Sequence, residues 1–251
     1  MESAFPTSQP ADKAALRAQI RARRTARTED PHPSPAQVAL SARVRAVVED
    51  AAPTAVVAYA ALPGEPSLDD VLEDLITAGV PVLLPATRKG RPLLLGRATA
   101  PLDSLPRGTW DIREPAAPLP VAEALAEFAD APASRVPHTE ASDPEAPAGG
   151  ALTSRILVLT PGLAFDAPGA RLGNGGGFYD RTFGPQGVLA EPQHAPVRER
   201  LTLAGVCWDD ELIDSLPVEP WDLRVSQVVT DARTTTVDPH AGAGARWPYH
   251  S

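Results

Sequence analysis

The apolar run Arg155-Ile156-Leu157-Val158-Leu159-Thr160-Pro161, followed closely by Arg171-Leu172-Gly173-Asn174-Gly175-Gly176-Gly177-Phe178-Tyr179-Asp180-Arg181, constrains the chain most. A continuous run of β-branched and aliphatic residues closed by proline reads as a strand buried on both faces of a parallel sheet. Parallel strands need crossover helices, which makes the chain α/β. Strand, glycine loop and helix together aim backbone N–H groups at an anion. Glycine lets a phosphate approach the main chain with no Cβ in the way. The loop lacks the Gly-Lys-Ser/Thr ending of a Walker A motif. It also fails the dinucleotide fingerprint, whose third glycine would fall on Phe178. A bare glycine cluster is about equally well a tight strand-to-helix connection. The flanks favour a ligand, because Arg171 and Arg181 can fork onto phosphate and Asp180 can hold magnesium against phosphate oxygens.

A chain of 251 residues and 26.4 kDa accommodates one α/β domain with insertions. The net charge of −9 argues against a general nucleic-acid binder, so an anionic ligand needs a local basic patch. Cys207 is the only cysteine, which excludes an intrachain disulfide and a cysteine-based zinc site and reads as a core thiol. No apolar run reaches the length of a membrane span. The first residues lack the basic-then-apolar order of a signal peptide, so the expectation is a soluble, cytoplasmic protein acting as a monomer on small molecules. None of the five histidines lies in a motif, which leaves histidine-based catalysis unsupported.

Residues 1–10 read as a tail and residues 11–233 as the domain. Residues 11–27 form a helix with six basic residues and one acidic residue. Lys13, Arg17 and Arg24 share one stripe of it, either a solvated basic face or a second phosphate-binding element. Prolines 31, 33 and 35 break the chain before a helix over 36–49 and a strand over 55–59. The loop 62–66 leaves the C-terminal end of that strand, where α/β sheets place ligands, and it carries Glu65. Ser67 caps a helix over 68–78, followed by Gly79. Strands over 82–85 and 93–96 pair antiparallel. Residues 116–154, acidic and rich in alanine and proline, read as a flexible insertion with a short helix over 121–128. Residues 184–199 read as a loop, 201–208 and 225–230 as strands, and 234–251 as a polar tail. The expected architecture is a three-layer sandwich, a mostly parallel central sheet flanked by helices.

The ordered set Pro161-Gly162-Leu163-Ala164-Phe165-Asp166 and Gly169-x-Arg171-Leu172-Gly173-x-Gly175-x-Gly177-Phe178-Tyr179-Asp180-Arg181 resembles the signature of the 5-formyltetrahydrofolate cyclo-ligases, or methenyltetrahydrofolate synthetases. The resemblance extends over roughly residues 13–231. It implies conversion of 5-formyltetrahydrofolate to 5,10-methenyltetrahydrofolate, dependent on ATP and Mg²⁺, with release of ADP and phosphate. By the same resemblance Lys13, Arg171 and Asp180 are catalytic. Lys13, Arg17 and the loop from Arg171 through Leu172, Gly173, Asn174, Gly175, Gly176, Gly177, Phe178 and Tyr179 bind ATP. Ala60, Glu65, Asn174, Phe178 and Tyr179 meet the folate, and Asp180 and Asp222 hold the metal. Taken alone, Glu65 reads as a loop carboxylate and Asp222 as a strand-entry cap. Two departures bear on the fit of the pterin. Glu211 stands where the family usually has glutamine, and Trp221 precedes Asp222 where it commonly has histidine or asparagine. Two other readings remain: a non-catalytic nucleotide- or folate-binding protein of this fold, and a sugar-phosphate isomerase or acyl-transfer enzyme of related architecture that needs no ATP.

Overall fold

The computed structural model describes residues 13–27, 34–99, 101–129 and 155–237. The chain opens with α1 (Lys13–Arg27) and α2 (Pro35–Ala51). Ser34 Oγ accepts from the Gln37 N–H at 3.2 Å and Pro35 occupies the first turn, two features that start a helix cleanly. Next come β1 (Ala55–Val57), α3 (Asp69–Thr77), β2 (Val82–Ala86) and β3 (Leu94–Arg97). Ser67 Oγ accepts from the Asp69 N–H at 3.3 Å at the start of α3, and Gly79 takes φ +80 past its end. Then follow β4 (Leu119–Pro120), α4 (Val121–Ala129), β5 (Ile156–Pro161), β6 (Ala164–Asp166) and β7 (Arg171–Leu172). The last elements are α5 (Phe178–Phe183), α6 (Ala195–Arg198), β8 (Leu201–Val206), β9 (Leu212–Ile213), β10 (Gln227–Val229) and β11 (Thr234–Thr236).

The main sheet runs β11-β10-β8-β5-β1-β2-β3-β4. Its centre, from β10 to β2, is parallel, and the outer pairs β10–β11, β2–β3 and β3–β4 are antiparallel. Side chains alternate across a strand, so each face takes every second residue. Val56, Leu84, Leu157 and Leu159 pack on Leu40, Val44 and Val48 of α2 and on Val71 and Leu72 of α3. Ala55, Val57, Leu83, Ile156 and Val158 pack on Leu125 and Phe128 of α4, on Phe183 of α5 and on Val197 of α6. These are the three layers expected. Truncating a central residue such as Leu157 to alanine costs about 2–5 kcal/mol, since neither face can collapse onto the void. Among the described residues no helix is long and apolar enough to cross a membrane.

A second, three-stranded sheet, β7-β6-β9, was not anticipated. Its strands are two or three residues long, too short for a periodic signal. Leu16 and Ile20 of α1 pack on Leu163 and on Ala164 and Leu172 of this sheet, so α1 sits beside the glycine loop.

Three expectations need correction. The start of the supposed insertion belongs to the fold: β4 pairs with β3, and the short helix expected over 121–128 is α4, which buries Val121, Leu125 and Phe128. That helical spacing of apolar residues outweighs the alanine- and proline-rich composition around it. Residues 130–154 lie outside the described residues, as do residues 1–10 and 238–251. Residues 184–199 are short helical turns that bury Leu189 and Val197. Finally, Thr234–Thr236 is not tail but an edge strand on β10, whose ladder needs only backbone groups. Cys207 is fully buried, as expected.

Candidate active site

The C-terminal ends of the parallel strands converge on a cavity of about 440 Å³, a size suited to a small organic ligand. Tyr59, Ala60, Leu62 and Glu65 reach it from the end of β1, Pro85 and Thr87 from β2, and Pro161 and Gly162 from β5. Arg171, Gly173, Asn174, Gly176, Gly177, Phe178 and Tyr179 line it from the glycine loop and α5.

Local geometry explains the glycines. Gly175 holds φ +97, and Gly177, the residue capping α5, holds φ +65. Side chains disfavour that region, so only glycine turns the chain there without strain. Cations of α1 pin the loop from one side. Arg17 Nε donates to the Gly173 carbonyl at 2.9 Å, and Arg21 Nη2 to the Asn174 carbonyl at 2.9 Å. Lys13 Nζ lies 2.6 Å from Asp222 Oδ2. Spacing of four residues puts Lys13, Arg17 and Arg21 on one face, which is the signal for Arg21, a site residue the sequence reading passed over.

Arg171 is buried. Its Nη1 donates to the Pro161 carbonyl at 3.0 Å and its Nη2 to Asp180 Oδ1 at 3.4 Å. Its guanidinium lies 4.9 Å from the centre of the Tyr179 ring, a cation–π contact. Its Nε–H has no acceptor among the described residues. A buried donor without a partner costs about 1–3 kcal/mol.

Asp180 is not a helix cap, since Gly177 holds that position. Its Oδ1 also accepts from the Leu223 N–H at 3.1 Å, which ties α5 to the loop carrying Asp222. Asp222 Oδ2 accepts from the Glu219 N–H at 2.7 Å. No group of three or more histidine, cysteine or acidic side chains that could hold a metal exists among the described residues. Asp180 on α5 and Asp222 on the neighbouring loop are the carboxylates that could hold magnesium, which binds through one or two carboxylates plus phosphate oxygens.

Glu65 sits in the cavity wall, buried, with both oxygens engaged. Oε1 accepts from Arg24 Nη1 at 3.0 Å and Oε2 from the Leu62 N–H at 3.1 Å. Burial pushes its carboxyl above the ordinary 4.5, and Arg24 and the Leu62 N–H only partly offset this. Burial likewise pushes the Tyr179 phenol up, so it stays protonated at working pH.

Arg24 corrects the reading of α1 as a solvated basic stripe, because it is only 4% exposed. Its Nε and Nη2 fork onto Glu211 at 2.9 and 2.8 Å, and Nη2 also donates to the Gly162 carbonyl at 2.5 Å. Burial disfavours the Arg24 cation, but Glu211 and Glu65 outweigh it and raise its pKa. Arg27 Nη1 donates to Glu211 Oε1 at 3.0 Å. Two arginines thus accommodate an acid where the family usually has glutamine. Trp221 is exposed and does not line the cavity.

Comparison with known proteins agrees with this arrangement. The profile of the 5-formyltetrahydrofolate cyclo-ligase family matches residues 9–131 and 132–231. The 5-formyltetrahydrofolate cyclo-ligase of Mycolicibacterium smegmatis is 32% identical over 181 residues, covering 71% of this chain and 74% of that protein. That of Escherichia coli K12 is 44% identical over 81 residues, covering 32% of this chain and 39% of that protein. The fold matches that of the 5,10-methenyltetrahydrofolate synthetase of Aquifex aeolicus with a TM-score of 0.60 at 20% identity, covering 95% of this chain and 98% of that one. The synthetase of Mycoplasma pneumoniae gives 0.55 at 16% identity, over 88% and 99%. The chain belongs to the 5-formyltetrahydrofolate cyclo-ligase family.

Proposed function

We propose that the protein closes the ring of 5-formyltetrahydrofolate at the expense of ATP, giving 5,10-methenyltetrahydrofolate, ADP and phosphate. The formyl oxygen attacks the terminal phosphorus of ATP and ADP leaves. The neighbouring folate nitrogen then attacks the activated formyl carbon, and the carbon–oxygen bond breaks with release of phosphate. The carrying observation is Arg171, a buried guanidinium that lines one cavity together with the glycine loop and Glu65.

Phosphoryl transfer asks for position and charge neutralisation more than for a covalent nucleophile. The loop 173–177 offers backbone N–H donors to phosphate oxygens. Lys13, Arg17 and Arg21 add positive charge from α1, and Arg171 reaches from the cavity wall to the transferring group. Asp180 and Asp222 are the residues that would hold magnesium, which when bound neutralises charge on the phosphates. Once phosphates and metal enter, Lys13 and Arg171 can turn from these carboxylates to the phosphates. Tyr59, Ala60, Phe178 and Tyr179 give the pterin an apolar slot, and Glu65 accepts from its N–H donors. Tyr179 stays neutral and acts as a wall rather than a base.

Mixing the protein with 5-formyltetrahydrofolate, with and without ATP, and following the absorbance of the methenyl product tests this reading. The expected result is a rise only when ATP is present. No rise, despite folate binding, would reduce the protein to a binding module. A rise without ATP would place it in another enzyme class.

A further inference from the structure

Three arginines hold the glycine loop by its carbonyls. From α1, Arg17 Nε donates to that of Gly173 and Arg21 Nη2 to that of Asn174, each at 2.9 Å. From α5, Arg181 Nη2 donates to the Gly176 carbonyl. Arg181 Nε also donates to the Arg91 carbonyl, in the turn between β2 and β3, at 3.4 Å. The same guanidinium lies 5.5 Å from the centre of the Phe178 ring. None of these Arg181 contacts is to a carboxylate, whereas Arg45, Arg97 and Arg233 elsewhere on the surface each face an acid.

A trans peptide is flat, with its C=O and N–H on opposite sides. A carbonyl fixed on a guanidinium therefore fixes where the next residue's N–H points. For the Gly176–Gly177 peptide, both of whose residues line the cavity, Arg181 holds the carbonyl and so sets the Gly177 N–H. Glycine takes φ of either sign at little cost, so a run of three glycines leaves these peptides free to rotate. Turned over, the Gly176–Gly177 peptide would aim its carbonyl oxygen where its N–H had been and would repel a phosphate. Arg181 opposes that rotation, because the turned peptide loses the guanidinium. A guanidinium on the carbonyl also polarises the peptide and strengthens its N–H as a donor.

We propose that Arg181 is a positioning residue for phosphoryl transfer: it holds the Gly176–Gly177 peptide with its carbonyl outward and its N–H toward the phosphates of ATP. The proposal rests on the functional reading above and deepens it. Arg181 serves the phosphates through the loop and does not touch them, since its donors are committed to backbone carbonyls of the loop and of the β2–β3 turn.

The test uses Arg181→Met, which keeps an aliphatic stem over Phe178 and removes the donors, and Arg181→Lys, which keeps the charge but not the fork that spans two carbonyls. Steady-state kinetics with ATP and 5-formyltetrahydrofolate are joined to the Gly177 amide resonance of isotope-labelled protein, followed as ATP is added without folate. Arg181→Met should lower kcat about 10- to 100-fold, up to the loss of one preorganised donor. KM for the folate should stay within about twofold, and Arg181→Lys should recover only part of kcat. The Gly177 resonance should move on adding ATP to the parent and move far less in Arg181→Met. A kcat for Arg181→Met within about twofold of the parent's, or a Gly177 shift undiminished in that variant, overturns the proposal. Full recovery by Arg181→Lys also overturns it, because a point charge would then suffice. A parent that turns over no folate overturns the functional reading, while loss of the ATP-induced Gly177 shift in Arg181→Met still upholds the role of Arg181 in the loop.

Discussion

Replacing Arg24 with methionine isolates the buried cation that joins α1 to the cavity wall. Methionine keeps much of the aliphatic stem and removes four donor contacts: two to Glu211, one to Glu65 and one to the Gly162 carbonyl. Glu65 keeps only the Leu62 N–H, whereas Glu211 keeps Arg27 and the Trp208 N–H. Removing one partner of a buried pair costs about 3–5 kcal/mol. The remaining support at Glu211 puts the expected loss near the lower end, about 3 kcal/mol. For a domain of this size each kcal/mol moves Tm by about 2–4 °C, so thermal unfolding near neutral pH should shift down by roughly 6–12 °C. The pH dependence gives the sign. Burial already holds the Glu65 carboxyl above its unfolded 4.5, and losing Arg24 raises it further. A carboxyl raised in the folded state costs stability as pH climbs through the window from 4.5 upward. The Tm deficit should therefore shrink in acid and grow toward neutrality, and adding Glu65→Gln to Arg24→Met should recover part of it. A Tm within about 2 °C of the parent, or a deficit independent of pH, would refute the reasoning.

Three further substitutions separate the roles around the cavity. In Asp180→Asn the amide oxygen still accepts from the Leu223 N–H, so folding should hold while kcat drops about 100-fold, or roughly 2.7 kcal/mol of barrier. Raised magnesium should restore part of the loss, and near-normal turnover with unchanged magnesium dependence would remove Asp180 from the metal site. In Glu65→Gln, kcat/KM for the folate should fall and the acid limb of its pH profile should vanish, since activity otherwise declines as pH drops through the raised Glu65 pKa. Persistence of that limb would assign it to another group. Lys13→Ala should raise KM for ATP more than for the folate, because its ammonium acts as a point charge for phosphate. The opposite split in steady-state kinetics would misplace the start of α1.

What the sequence disclosed was local. The run 155–161 and the loop 171–181 carry their own reasons, apolar on both faces and glycine where φ turns positive, so strand and loop were readable. The spacing put Lys13 and Arg17 on one stripe of α1, and only the resemblance to the family singled them out as phosphate contacts. The burial of Arg24 was not readable, because it depends on Glu65 and Glu211, 41 and 187 residues away along the chain. The helix over 121–128 was readable from its apolar spacing, but the composition around it hid that α4 and β4 belong to the fold. The strand Thr234–Thr236 carries no apolar pattern, because an edge strand held by backbone bonds needs none. The hold of Glu114 on Thr87 and Arg88 likewise appears only once the loops are folded together.

The central claim, that one cavity passes a phosphoryl group from ATP to the formyl oxygen, is tested most directly by tracing that oxygen. The substrate is prepared with an isotope of oxygen in its formyl group, turned over with unlabelled ATP in unlabelled water, and the released phosphate is analysed by mass spectrometry. The account predicts that the label leaves in the inorganic phosphate, one labelled oxygen per methenyl product formed. Methenyl product accompanied by unlabelled phosphate would contradict it.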